Sequence, residues 1–160
     1  MFKKTNNILL IFFLFIISAS LIATFIIQYR LGYQPCKLCV YQRIPYILSI
    51  FLIIELIFFK KNEKTTLLLL SLTFIAGAIL AFYHLGIEQG FFAESFVCEN
   101  KNLSETLTKD VLLEQLKQNT ISCKNVDFKI LGFSLTAINM IFSIFLSVIF
   151  FRLFVNYGKN

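Results

Sequence analysis

Apolar residues in this chain come in long unbroken runs, not in the period-2 or period-3.6 patterns of half-buried elements. Ile8–Ile27 is twenty residues without a charge, enough for one crossing of a hydrocarbon layer about 30 Å thick at about 1.5 Å per helical residue. Ile44–Phe59 is shorter, so its span is expected to begin earlier, near residue 41. Pro45 is tolerable there, because a first-turn proline gives up no helical hydrogen bond. Leu67–Leu85 forms a third run, and Ile130 to about Val155 a fourth. These runs predict one all-α integral membrane domain over residues 1–160. It is a four transmembrane helix bundle, with spans near 8–27, 41–59, 67–86 and 130–155 and polar loops near 28–40 and 87–129.

The second loop is the one long polar segment. Asn102-Leu103-Ser104-Glu105 resembles a capping box, and Leu103, Leu107, Val111 and Leu116 follow at near-helical spacing. A short amphipathic helix is expected there, lying on the membrane or covering the outer ends of the spans. The first run has a rival reading as a cleaved signal peptide: Lys3 and Lys4, then Ile8–Ile17, then Ser18-Ala19-Ser20. It continues apolar to Ile27, so a retained span is expected.

Composition agrees. The chain is 58% apolar and 15% charged, against about half apolar and a quarter charged in soluble domains. A net charge of +6 would suggest nucleic acid in a soluble protein. Here the cations sit in short loops and tails, so they are topology signals and no nucleic-acid partner is expected. With a cytoplasmic N-terminus, Lys3, Lys4, Lys60, Lys61, Lys64, Arg152 and Lys159 fall on one side, against Glu63 alone. The other side is nearly balanced. Both termini are therefore expected in the cytoplasm and both cysteine-bearing loops in a periplasm-like space.

The four cysteines are Cys36, Cys39, Cys98 and Cys123, none inside an apolar run, which suits disulfide chemistry in an oxidising compartment. Cys36 and Cys39 have the spacing of a redox dithiol. A static disulfide is the bland alternative. Haem attachment would need histidine after Cys39, where Val40 stands; a zinc site would need two more ligands, and Cys98 and Cys123 lack Cys-x-x-Cys or histidine spacing, so no metal is expected. With a helix starting near Val40, Cys39 would sit at its N-terminus, one turn from the Arg43 cation. Both features would favour a thiolate. His84, the single histidine, falls at the outer end of the third span. It reads equally as an interfacial residue or a proton-handling one. Glu55 is expected to pair with Lys60 or to lie near the interface. Ala76, Gly77, Ala78 and Ala81 suit close helix packing, and Asn139 suits a hydrogen bond across the bundle.

Pro35-Cys36-Lys37-Leu38-Cys39-Val40-Tyr41-Gln42-Arg43, Tyr83-His84-Leu85-Gly86-Ile87-Glu88-Gln89, the pair Cys98 and Cys123, and Leu131-Gly132-Phe133-Ser134-Leu135-Thr136-Ala137-Ile138-Asn139 together resemble the disulfide bond formation protein B (DsbB) family of bacterial inner-membrane thiol oxidases. The resemblance implies a relay. A reduced periplasmic DsbA-like, thioredoxin-fold protein attacks a Cys98–Cys123 disulfide through Cys98. Cys36–Cys39 reoxidises that pair by way of Cys36 and Cys123, and Cys39 faces a membrane quinone, ubiquinone or menaquinone. It further implies that Arg43 stabilises the Cys39 thiolate and the quinone oxygen, and that His84 lies near the quinone. A relative of vitamin K epoxide reductase and a static membrane scaffold are the competing classes. The local Tyr41-Gln42-Arg43 match disfavours the first.

Overall fold

Helix α1, Asn7–Arg30, begins where the side chain of Asn6 accepts the amide hydrogen of Ile8 at 3.1 Å. The computed structural model describes residues 6–59, 62–93, 129–130 and 133–157. Cys98, Cys123 and the expected loop helix lie outside them. Next come a five-residue helix α2, Lys37–Tyr41, then α3, Ile44–Phe58, and α4, Glu63–Glu88. Two-residue strands β1, Lys129–Ile130, and β2, Phe133–Ser134, pair antiparallel ahead of the last helix, α5, Leu135–Asn156. Lys37–Phe58 counts as one candidate span, so four segments of 22 to 26 residues are long and apolar enough to cross a membrane.

Boundaries differ from expectation for local reasons. The second span starts at Lys37 and not near residue 41, because Cys36 caps α2. Gln42 and Arg43 then interrupt the helix before Pro45 enters the first turn of α3. The third span runs on to Glu88 because a Schellman turn closes it: Gly90, at φ +80°, lets its own amide reach Ile87 and the Phe91 amide reach Gly86. The last begins at Leu135, where the Ser134 hydroxyl accepts the Ala137 amide hydrogen at 3.2 Å.

The bundle is apolar outside, as lipid requires, and its largely apolar interior also takes in small polar side chains. Phe15, Phe58, Ile79, Ile141 and Phe145 are exposed, while Ser49, Ser71 and Ser143 are buried. Without a hydrophobic drive between helices, packing and hydrogen bonds must hold them. Helix α4 packs most broadly on α5, and Ser71 and Ser147 each donate a hydroxyl to the other's carbonyl, at 3.3 and 3.4 Å. Phe74 stacks on Phe150 with centroids 5.8 Å apart. Of the small residues on α4, Gly77 and Ala81 are buried, whereas Ala76 is exposed and Ala78 half-buried. Consecutive helical positions point about 100° apart, so only the i, i+4 pair shares the inner face.

Two ends are distinguishable. At one, Lys64 lies over the ring of Phe154 at 5.5 Å, and Thr66 donates to Glu55 at 3.4 Å; Lys60, its expected partner, is outside the described residues. At the other end, α2, the last turns of α4 and the first turn of α5 meet.

Candidate active site

Cys36 is the N-cap of α2, and its sulfur accepts the Cys39 amide hydrogen at 3.3 Å. The expected helix start near Val40 would have given that place to Cys39. One turn of α2 instead places both sulfurs on one side, 2.7 Å apart, both as free thiols. Cys36, Leu38 and Ile87 form a small buried cluster, with Cys39 and Tyr83 packed against it.

His84 arrives from α4, only 2 % exposed, with Nε2 3.5 Å from Cys36 Sγ. Around the ring stand three residues that sequence reasoning did not single out for the site. Gln42 donates its amide nitrogen to Nδ1 at 3.0 Å, Thr136 Oγ1 is 3.3 Å from the same nitrogen, and Glu88 Oε1 is 3.7 Å from Nε2. Thr136 also donates its hydroxyl to Glu88 Oε1. Behind Gln42 the chain continues: Asn139 Nδ2 donates to Gln42 Oε1 at 2.9 Å, and Tyr46 donates its hydroxyl to Asn139. The expected cross-bundle role of Asn139 is thus filled, and it supports the histidine.

The Cys36 thiol is held far below its ordinary value, at about 5. The Cys39 thiol contributes most, by donating a hydrogen bond that suits a thiolate. Burial opposes it, and His84 then adds a hydrogen bond and positive charge. The helix start expected at Cys39 falls instead at Cys36, whose sulfur lies 3.5 Å from His84 Nε2.

Arg43 is turned elsewhere. Its Nη1 donates to Gln28 at 2.8 Å and its guanidinium lies 4.9 Å over the Phe25 ring, both on α1. Cys39 is half-buried, and Val40, Tyr41 and Ile44 beside it are exposed on the apolar outer surface. Cys39 therefore borders the apolar outer surface, while Cys36 is buried. His84 is buried and lies against Cys36.

The two sulfurs and His84 Nε2 lie within 4.8 Å of one another. Two thiolates on one tetrahedral zinc stand about 3.8 Å apart, given Zn–S bonds of about 2.3 Å. Sulfurs at 2.7 Å are spaced for a dithiol, not for that ion.

A membrane-type helical bundle carrying a polarised Cys-x-x-Cys at one end defines a membrane thiol–disulfide protein. A family model described as disulfide bond formation protein DsbB matches residues 5–153, and the chain belongs to that family. Over 152 residues it is 32% identical to an uncharacterized protein of Rickettsia prowazekii (strain Madrid E), covering 92% of this chain and 88% of the relative. Over 129 residues it is 29% identical to disulfide bond formation protein B of Xylella fastidiosa (strain Temecula1), covering 77% and 75%. Family membership supports a disulfide oxidoreductase with a role in disulfide bond formation.

Proposed function

We propose that this chain reoxidises a reduced, periplasmic, DsbA-like thioredoxin-fold protein and delivers the electrons to membrane quinone. The observation that carries the reading is the Cys36–Cys39 dithiol, with one sulfur against buried His84 and the other beside the lipid-facing surface of α2 and α3. Cys98 and Cys123 form the disulfide that the partner attacks, and Cys98 makes the mixed disulfide. Cys36 exchanges with Cys123, which its low thiol value favours. While Cys36 is tied to Cys123, the Cys39 sulfur is the free one on the acceptor side. Closing Cys36–Cys39 releases two electrons and two protons, and quinone supplies the capacity to take both as it leaves as quinol. Arg43 would hold the quinone oxygen. The charge asymmetry between loops orients the bundle in a bacterial inner membrane, with both termini cytoplasmic.

The test mixes the purified full-length protein with quinone and a reduced DsbA-like protein. Catalytic quinol formation is expected, with Cys36 and Cys39 accumulating as thiols when quinone is withheld. Cysteines that stay oxidised regardless of quinone supply would leave a static scaffold. Arg43→Ala is expected to slow the quinone half-reaction about tenfold or more, the loss of one charge-assisted contact, and to spare the partner half-reaction. Equal slowing of both halves would remove Arg43 from the acceptor side.

A further inference from the structure

Glu88 has no part in the relay described above, yet it lies inside the site. Its side chain is 7 % exposed, and a carboxylate that dry is costly unless hydrogen-bonded and paired. Its hydrogen bond comes from Thr136 on α5, and the group at ion-pair distance is His84, one turn back on its own helix. The groups facing His84 among the described residues are Cys36 before α2, Cys39 on α2, Gln42 after it, Thr136 on α5 and Glu88 itself. Arg43 is committed to Gln28 and Phe25.

We propose that Glu88 is the acid of this redox site, a positioning residue that holds positive charge on His84 and through it keeps Cys36 a thiolate. In proton balance, the Cys36 Sγ–H bond breaks, an Nε2–H bond forms on His84, and no electron moves. The ring's charge is then shared between a thiolate and a carboxylate, at 3.5 and 3.7 Å. A charged ring also needs an acceptor at Nδ1. Thr136 Oγ1 is one, at 3.3 Å, its own hydrogen already given to Glu88. Gln42 becomes another when its carboxamide turns over to present oxygen. The turn propagates without loss: Asn139 turns likewise, and Tyr46 finds Ser143 Oγ at 3.3 Å as its new acceptor. Glu88 reaches Cys36 through the histidine, since its contacts are with Thr136 and His84.

This inference builds on the dithiol assigned above, but its test needs neither quinone nor a protein partner, so either can fail alone. Reduced full-length protein in detergent, with Cys98→Ala and Cys123→Ala, is treated with iodoacetamide across a pH series, and Cys36 modification is read by peptide mass. Glu88→Gln keeps the size and the acceptor for Thr136 but drops the charge. It is expected to move the Cys36 curve up by about one pH unit, the lower end of what one nearby charge does. Glu88→Asp is expected to recover part of that shift. In a His84→Ala background, Glu88→Gln is expected to add nothing. The proposal is overturned if the Glu88→Gln curve superposes on the parent, if Asp recovers no more than an uncharged side chain, or if the shift persists without His84.

Discussion

Replacing Cys39 with alanine is expected to return the Cys36 thiol most of the way from about 5 towards its ordinary value near about 8.5. The hydrogen bond from the Cys39 thiol is the largest influence on Cys36. Its removal leaves burial, which opposes the thiolate, set against His84 and the backbone amide of residue 39. The sign is fixed by the charge. A thiol held low is ionised above about pH 5, so the parent is fully reactive at pH 7. A variant raised by about three units would be only about one-tenth ionised there, each unit being a factor of ten. Iodoacetamide modification of Cys36 should accordingly fall about tenfold at pH 7, and by more than about 10² near pH 5.5. An unchanged curve would mean that the 2.7 Å sulfur contact does not polarise Cys36. Turnover ends in the same variant, because the second sulfur of the disulfide is gone.

Gly77→Leu is the second large effect expected, this time on the scaffold. A Cβ at Gly77 would stand 3.3 Å from Pro45 Cβ, 3.4 Å from Pro45 Cγ and 3.6 Å from Ser143 Oγ. Alanine is therefore at the limit. The proline ring cannot rotate away, and the further carbons of leucine have no space between α3 and α5. Overpacking of this kind costs on the order of 3 kcal/mol. Its reach extends to the site, because Ser143 neighbours Tyr46, and Tyr46 anchors the chain through Asn139 and Gln42 to His84. The denaturation midpoint in SDS, read by helicity on protein purified in mild detergent, should drop clearly for leucine and slightly for alanine. A leucine variant with the parent midpoint would show that the three helices are not in contact there.

What could be read from the chain and what could not divide along physical lines. The four spans follow from the hydrocarbon thickness, which demands long uncharged runs wherever they fall. The dithiol follows from spacing alone. Helix ends were harder. A sulfur is not among the usual capping groups, so Cys36 gave no start signal, and the break at Gln42–Arg43 was hidden by apolar residues on both sides. Glu88 fell inside the expected loop near 87–129 because its polarity matched what followed. The signal that would have found it is Gly90, a glycine placed to end a helix two residues beyond. With the helix extended, His84 and Glu88 become an i, i+4 pair. Asn139 read as a residue bonding across the bundle, but its partners Gln42 and Tyr46 were beyond reach: the bonds joining them to it span 97 and 93 residues. No local pattern encodes a contact of that length.

Two residues of α5, Thr136 and Asn139, bond to His84 and Gln42 from the far end of the chain. Synthesis proceeds from the N-terminus, and structure forms in that order where it can. The dithiol and its histidine therefore enter the membrane before the helix that orients them has been made. Until α5 inserts, Glu88 lacks its hydroxyl donor and Gln42 its amide donor. The nascent chain carries the sulfurs early, but the environment that sharpens one of them is complete only with the last span, so thiol reactivity ripens with assembly.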